Sequence, residues 1–255
     1  MIEIKDISKQ FGNRVILDEI SMSFPRGKIT SLIGSNGAGK STLLSIISRL
    51  LSQDQGSVFV NEKNSNKYKN SVLAQHLSIL KQFNNIELKL TVKELISFGR
   101  YPYSQGRLKK EDHEKIAEAI QFLDLEEIQE AFLDELSGGQ RQRAYLAMVV
   151  AQDTEYILLD EPLNNLDMRH SVQIMKILRR LTEELGKTVI IVLHDINFAS
   201  HYSDYIAALK DGKVRYFGNA NEIINEKILK DIFGISFCIS QSGGKKLCNY
   251  FNHLN

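Results

Sequence analysis

Gly34-Ser35-Asn36-Gly37-Ala38-Gly39-Lys40-Ser41, with Thr42 after it, spaces glycines, a lysine and hydroxyls as a chain of phosphates requires. Where glycine omits the β-carbon, backbone N–H groups can turn inward around α- and β-phosphates. Lys40 then reaches the β/γ-phosphates, and the Ser41 hydroxyl is placed to ligate Mg²⁺. Further along, Asp160 and Glu161 close the apolar run Tyr156–Leu159. At such a strand end Asp160 suits Mg²⁺, usually through water, and Glu161 is a candidate base to polarise an attacking water. Taken alone, the two acids also suit a helix cap. His194 ends the next apolar run, Val189–Leu193, and becomes a γ-phosphate contact if the sheet edge there holds Asp160 and the loop. Gln82, after Leu77–Leu80, could touch Mg²⁺ or the lytic water. Phe11, before Gly12, offers a ring either to adenine or to the core. This set asks for a nucleotide and Mg²⁺.

A second anion site stands apart from the first. In Leu136-Ser137-Gly138-Gly139-Gln140-Arg141, a serine and two glycines open a helical pattern (Ala144, Leu146, Ala147, Val149, Val150). A helix opened by glycine presents free N–H groups to an anion. One nucleotide already has its phosphate loop, so Ser137 and Gly139 are expected to serve the γ-phosphate held by a second copy of the chain.

The elements that must position these residues follow from the patterning. Ile29–Ile33 before the loop reads as a buried strand, and Leu43, Leu44, Ile46, Ile47, Leu50 and Leu51 after it as a helix buried on most sides. Residues 1–33 are strand-rich, and Met1–Lys5 alternates like an edge strand. From about residue 90 the period becomes helical, with Thr91 and Glu94 spaced as a capping box. After residue 153, strand and helix alternate: continuous apolar runs at 156–159 and 189–193 flank a helix around Val172–Leu185, making a βαβ unit of a parallel sheet. Gly212 and Gly218 bracket a last hairpin, and 221–255 reads as a short helical stretch and a polar tail.

Composition narrows the class. The chain has 255 residues and a net charge of +1, so a sizeable core is available and no basic footprint points to nucleic acid. Its two cysteines, Cys238 and Cys248, lack metal-ligand spacing and read as free thiols of a reducing compartment. The most apolar run, Val189–Leu193, is far short of the roughly 20 residues a spanning helix needs. A soluble chain is expected, and work at a membrane would require docking onto something that spans it.

Together these motifs resemble the ATP-binding subunits of ABC transporters, over nearly the whole chain from Ile2 to about Gly218. Gly34–Ser41 is similar to the Walker A loop, Ile157–Glu161 to Walker B, and Leu136–Gln140 to the signature motif. Asn165-Leu166-Asp167 resembles the D-loop, His194 the switch histidine, Gln82 the Q-loop glutamine and Phe11 the adenine-stacking aromatic, usually tyrosine. Lys81 stands where proline is common, and Asn164-Asn165 replaces small Ser/Thr residues; neither departure touches the hydrolytic set.

The resemblance implies an α/β P-loop NTPase fold with a RecA-like core, an antiparallel β edge and an inserted α-helical subdomain. One ATPase domain would cover 1–220, its nucleotide lobe formed by 1–84 and 151–220 and its helical subdomain by about 85–150. A helical extension and tail would occupy 221–255. Two copies would pair head to tail around two ATP, with Asp167 coupling the sites. Separate transmembrane permease subunits, and indirectly a substrate-binding lipoprotein, complete the implied assembly, at the cytoplasmic face of a bacterial membrane.

An ATPase of translation or DNA repair would carry a second cassette or long insertions, and a GTPase would need an Asn/Thr-Lys-x-Asp guanine reader; this chain has neither. Phe98–Tyr103 and Leu159–Met168 resemble the iron–siderophore importer branch, and the double asparagine its catecholate members. Haem, cobalamin and other metal-complex importers share the architecture. Tyr101 and Tyr103 suit a packing cluster as well as a role linked to cargo.

Overall fold

The runs Ile29–Ile33, Tyr156–Asp160 and Thr188–Val192 lie side by side in a parallel array, and every residue of the three is buried. Strands covered on both faces need no alternation, hence their continuous apolar sequence. The computed structural model describes residues 1–81 and 89–251. It begins with β1 (Ile2–Phe11), β2 (Arg14–Phe24), β3 (Ile29–Ile33) and α1 (Lys40–Ile47). Then come β4 (Gln55–Val60), β5 (Lys63–Asn64), α2 (Asn70–Leu73) and β6 (Leu77–Leu80). A helical block follows: α3 (Val92–Ser97), α4 (Tyr101–Ser104), α5 (Lys110–Phe122) and α6 (Gly138–Ala151). The alternating half has β7 (Tyr156–Asp160), α7 (Met168–Glu183), β8 (Thr188–Val192), α8 (Ile196–Tyr202), β9 (Tyr205–Lys210) and β10 (Lys213–Asn219). Last come α9 (Ala220–Ile223), α10 (Glu226–Phe233), β11 (Cys238–Ser242) and β12 (Lys245–Asn249).

Among the described residues, the main sheet has the order β10-β9-β3-β8-β7-β6, parallel except for the antiparallel β9–β10 hairpin. Its strands divide their side chains between two cores. Ile157, Leu159, Val189 and Ile191 face one core with the helical block and α7. Tyr156, Leu158, Ile190 and Val192 face the other, with α1 and a second, antiparallel sheet of order β2-β1-β4-β5. This is the α/β architecture expected from the sequence.

The β1 expectation needs correction. The strand is not an edge: it pairs with β2 on one side and β4 on the other. Alternation reports which face is buried and says nothing about how many neighbours a strand has. The alternation also breaks, since Ile2 and Ile4 are two apart and Ile7 three further, yet all three are buried. Asp6, at φ 51°, sits at the register shift that returns Ile7 to the core face.

Three other boundaries shift. α1 ends at Ile47, and Arg49 at φ 60° turns the chain so that Leu50 is exposed rather than buried. α7 begins at Met168, four residues before expectation, because Asp167 caps it by accepting the His170 N–H. Beyond α10 there is no polar tail as far as residue 249: β11 and β12 form a hairpin around Gly243-Gly244, both at positive φ. The Gly-Gly pair itself is a hairpin signal that was available in the sequence. Cys238 and Cys248 are free; in this hairpin Cys248 pairs with Ile239 and Cys238 with Asn249, so the two sulfurs point to opposite faces.

The Thr91 capping box forms as expected: Thr91 Oγ1 accepts from Glu94 N, and Glu94 Oε2 accepts from Thr91 N at 2.8 Å. Thr91→Ala removes a cap at the entrance to the helical block. It should cost about 1 kcal/mol, read as a lower denaturation midpoint with an unchanged slope; an unchanged midpoint would show that α3 does not depend on this cap.

Candidate nucleotide site

The loop between β3 and α1 has its shape because two of its glycines have no alternative. Gly34, at φ 143°, would place a β-carbon 2.2 Å from the Leu209 carbonyl oxygen of β9. Gly39, at φ 97°, would place one 2.5 Å from Leu17 Cδ2. Both have the backbone region and the close approach that exclude a side chain. Lys40 is buried, and its Nζ donates to Gly34 O at 2.8 Å and Ser35 O at 3.0 Å, curling over its own loop. Burial lowers its pKa from the ordinary lysine value, while Glu161 and Asp160 pull it back.

Asp160 ends β7 beside the loop. Ser41 Oγ donates to Asp160 Oδ1 at 2.7 Å, which joins the first turn of α1 to the end of the strand. Burial pushes the Asp160 carboxyl above the usual aspartate value; the Ser41 bond opposes this and the neighbouring Glu161 charge adds to it. A divalent cation would offset that burial cost, and the donors here, a hydroxyl and a carboxylate oxygen, are of the hard type Mg²⁺ takes. Among the described residues no group of three or more His, Cys, Asp or Glu could hold a metal. That is compatible with an ion bound through one carboxylate and the phosphates of its substrate.

Glu161 sits at φ 52°, a left-handed conformation uncommon outside glycine. The turn directs its carboxylate at two partners: His194 Nε2 lies 2.6 Å from Oε1, and Asn164 Nδ2 donates to Oε2. His194 follows β8, whose Val192 pairs with Asp160, so neighbouring parallel strands deliver the pair to one edge. A cleft of about 240 Å³ opens there, lined by Phe11, Arg14, Lys40, Thr42, Glu161 and His194 among others. Phe11 is 52% exposed and so belongs to the cleft rather than the core.

The other sequence candidates lie elsewhere. Ser137, Gly139 and Asp167 do not line this cleft; they stand at the openings of α6 and α7. Ser137 caps α6, its Oγ accepting from Gln140 N and its N–H donating to Gln140 Oε1. Asp167 accepts both the backbone N–H and Nδ1 of His170 at 2.8 Å, and the backbone bond above all holds its carboxyl below the usual range. Gln82 lies outside the described residues. Sequence reasoning did not single out Arg14 or His170, and it set Asn164 apart from the hydrolytic set; that needs correction, because the turn that bonds Asn164 N to Glu161 O lets Asn164 Nδ2 donate to the Glu161 carboxylate. The Gly12-Asn13 turn returns the chain beside Phe11, so Arg14 was legible in principle; its Nη2 lies 3.5 Å from where a Gly37 β-carbon would be.

The profile of the ABC transporter family matches residues 17–164. The petrobactin import ATP-binding protein YclP of Bacillus subtilis is 54% identical, across 99% of this chain and 100% of its own. The iron(3+)-hydroxamate import ATP-binding protein FhuC of the same organism is 43% identical, across 88% of this chain and 84% of its own. Among solved structures, the dimeric ATP-binding cassette MJ0796, in a post-hydrolysis state bound to ADP and Pi, superposes with a TM-score of 0.75. It is 31% identical, with 86% of this chain and 99% of that one covered.

Proposed function

This chain belongs to the ABC transporter family, and from that membership we propose that it is the ATPase subunit that energises import of a ferric siderophore, of the catecholate class. The observation that carries the catalytic reading is the convergence of Lys40, Ser41 and the Glu161–His194 pair on one cleft, with Asp160 hydrogen-bonded to Ser41 behind them. The dimeric structure of the MJ0796 cassette supports pairing of two copies.

In this reading the loop Gly34–Thr42 cradles the phosphates of ATP, and Phe11 stacks on the adenine with Arg14 beside it. Ser41 and Asp160 would hold Mg²⁺, with Gln82 as a third candidate; when bound, the ion neutralises phosphate charge. Glu161 takes up the proton of the attacking water, and His194 orients the Glu161 carboxylate and meets the γ-phosphate. Ser137 and Gly139 close the partner copy's nucleotide, and Asp167 links the two sites. Nucleotide binding therefore favours the closed dimer, and hydrolysis favours reopening.

Among the described residues no helix is long and apolar enough to cross a membrane. We assign the chain to the cytoplasmic face of a bacterial membrane, bound to separate permease subunits that a substrate-binding lipoprotein supplies; no role with nucleic acid is proposed. Docking would use the helical block, where Phe98 and Tyr101 are exposed. Tyr103 differs from Tyr101: its ring packs 4.0 Å from the Arg100 guanidinium. Its role is packing, whereas Tyr101 is available to a partner.

The cargo rests on likeness. The double asparagine and the identity to a petrobactin import protein, higher than to the hydroxamate one, favour the catecholate side. Radio-iron uptake tests this in a strain lacking the gene, complemented by wild type or by Glu161→Gln. Ferric petrobactin, another ferric catecholate, ferric hydroxamate and haem are offered separately. Uptake of the first two should be lost and return with wild type alone. Loss of hydroxamate or haem uptake instead would reassign the cargo, and normal uptake of all four would overturn the iron reading.

A further inference from the structure

Two adjacent glycines open α6, and they differ in what surrounds them. A β-carbon on Gly138 would meet nothing within 4 Å. One on Gly139 would lie 2.0 Å from Cδ2, 2.4 Å from Cγ and 2.5 Å from Nε2 of His170. Gly139 is accordingly buried, with the imidazole lying against the first turn of the helix. The ring is held on its other side as well: Nδ1 is 2.8 Å from Asp167 Oδ1, the oxygen that also accepts the His170 N–H and caps α7.

One side chain therefore touches both segments that the head-to-tail reading turns toward a second copy's nucleotide. α6 belongs to the helical block and α7 to the alternating half, and β7 separates them in sequence. We propose that His170 is a positioning residue that ties the Asn165–Asp167 loop to the opening turn of α6, so that the two present themselves to the partner's ATP as one unit. Close-packed contacts of this kind shift between discrete arrangements rather than stretching, so movement of either segment is passed to the other. A glycine is then required at 139 for the imidazole as well as for any phosphate.

The inference rests on the head-to-tail reading, and the test separates the two. In the Glu161→Gln background, ATP-driven dimerisation of the full chain is followed by analytical ultracentrifugation. Failure of that background to dimerise would overturn the head-to-tail reading itself. With His170→Ala added, the dimer should require about tenfold more protein, within the range by which coupled sites change one another's affinity. Binding of a fluorescent ATP analogue to the monomer should be unchanged, because the phosphate loop lies elsewhere. Gly139→Ala alone should lower the melting temperature of the monomer, and adding His170→Ala should recover it to the level of His170→Ala by removing the clash. Dimerisation of His170→Ala equal to the background, with or without a lower melting temperature, would overturn the proposal. Failure of the double substitution to recover the melting temperature would overturn its packing half.

Discussion

Glu161→Gln should leave ATP bound, lower hydrolysis by about 10²–10⁴-fold, the usual contribution of a positioned general base, and trap the nucleotide-bound dimer. The amide keeps the size of the carboxylate and can still meet Asn164 and His194, but it cannot take a proton from water. The phosphate loop does not depend on it: Lys40 is anchored to Gly34 O and Ser35 O, and Ser41 to Asp160. In the proposed reading Glu161 lets the dimer reopen, so removing it without touching the residues assigned to closure shifts the population toward the closed state. Single-turnover hydrolysis and gel filtration with ATP check both halves. Turnover at the wild-type rate would remove Glu161 from its role and leave Asp160 or His194 to be tested.

Asp112→Ala should cost about 3–5 kcal/mol, the range for breaking a buried ion pair from one side. Arg100 and Asp112 are each 3% exposed, with Nε and Oδ1 2.9 Å apart. Arg100 also donates to Ala151 O at the end of α6, and Asp112 Oδ2 accepts the Lys109 N–H that opens α5. Removing the carboxylate leaves a guanidinium buried without its counter-charge, at the junction of α4, α5 and α6. Denaturant unfolding of the full chain measures the loss. The pH dependence has a definite sign. Burial raises the Asp112 pKa, but the Lys109 N–H and Arg100 outweigh it and hold the carboxyl below its ordinary value. Its contribution is therefore present above the unfolded aspartate pKa and is lost as pH falls through the folded one. Asp112→Ala should be least different from wild type at the acid end. A constant difference across pH would show that the ion pair is not what the substitution removes.

What could be read from the sequence was local. The phosphate loop, the capping box at Thr91, the glycine-opened helix after Ser137 and the buried strands all depend on residues within a few positions of one another. Glycine freedom, cap geometry and side-chain period are short-range properties. The hairpin at Gly243-Gly244 is equally local, but its strands are mostly polar and carry no β pattern of their own, which leaves the glycine pair as its signal. Arg100–Asp112 was not legible, since charged residues twelve apart normally face solvent.

Residue types and spacing alone pointed to the proposed chemistry, with candidates to wrap phosphates, hold a cation and polarise water at the ends of parallel strands. Tertiary structure alone decided their partners. β1 lies inside its sheet, Asn164 and His194 share the Glu161 carboxylate, and His170 covers Gly139. The physical reason is that hydrogen bonds and close packing act over a few ångströms of space. Residues tens of positions apart reach that distance only after the sheet has set its strand order and register.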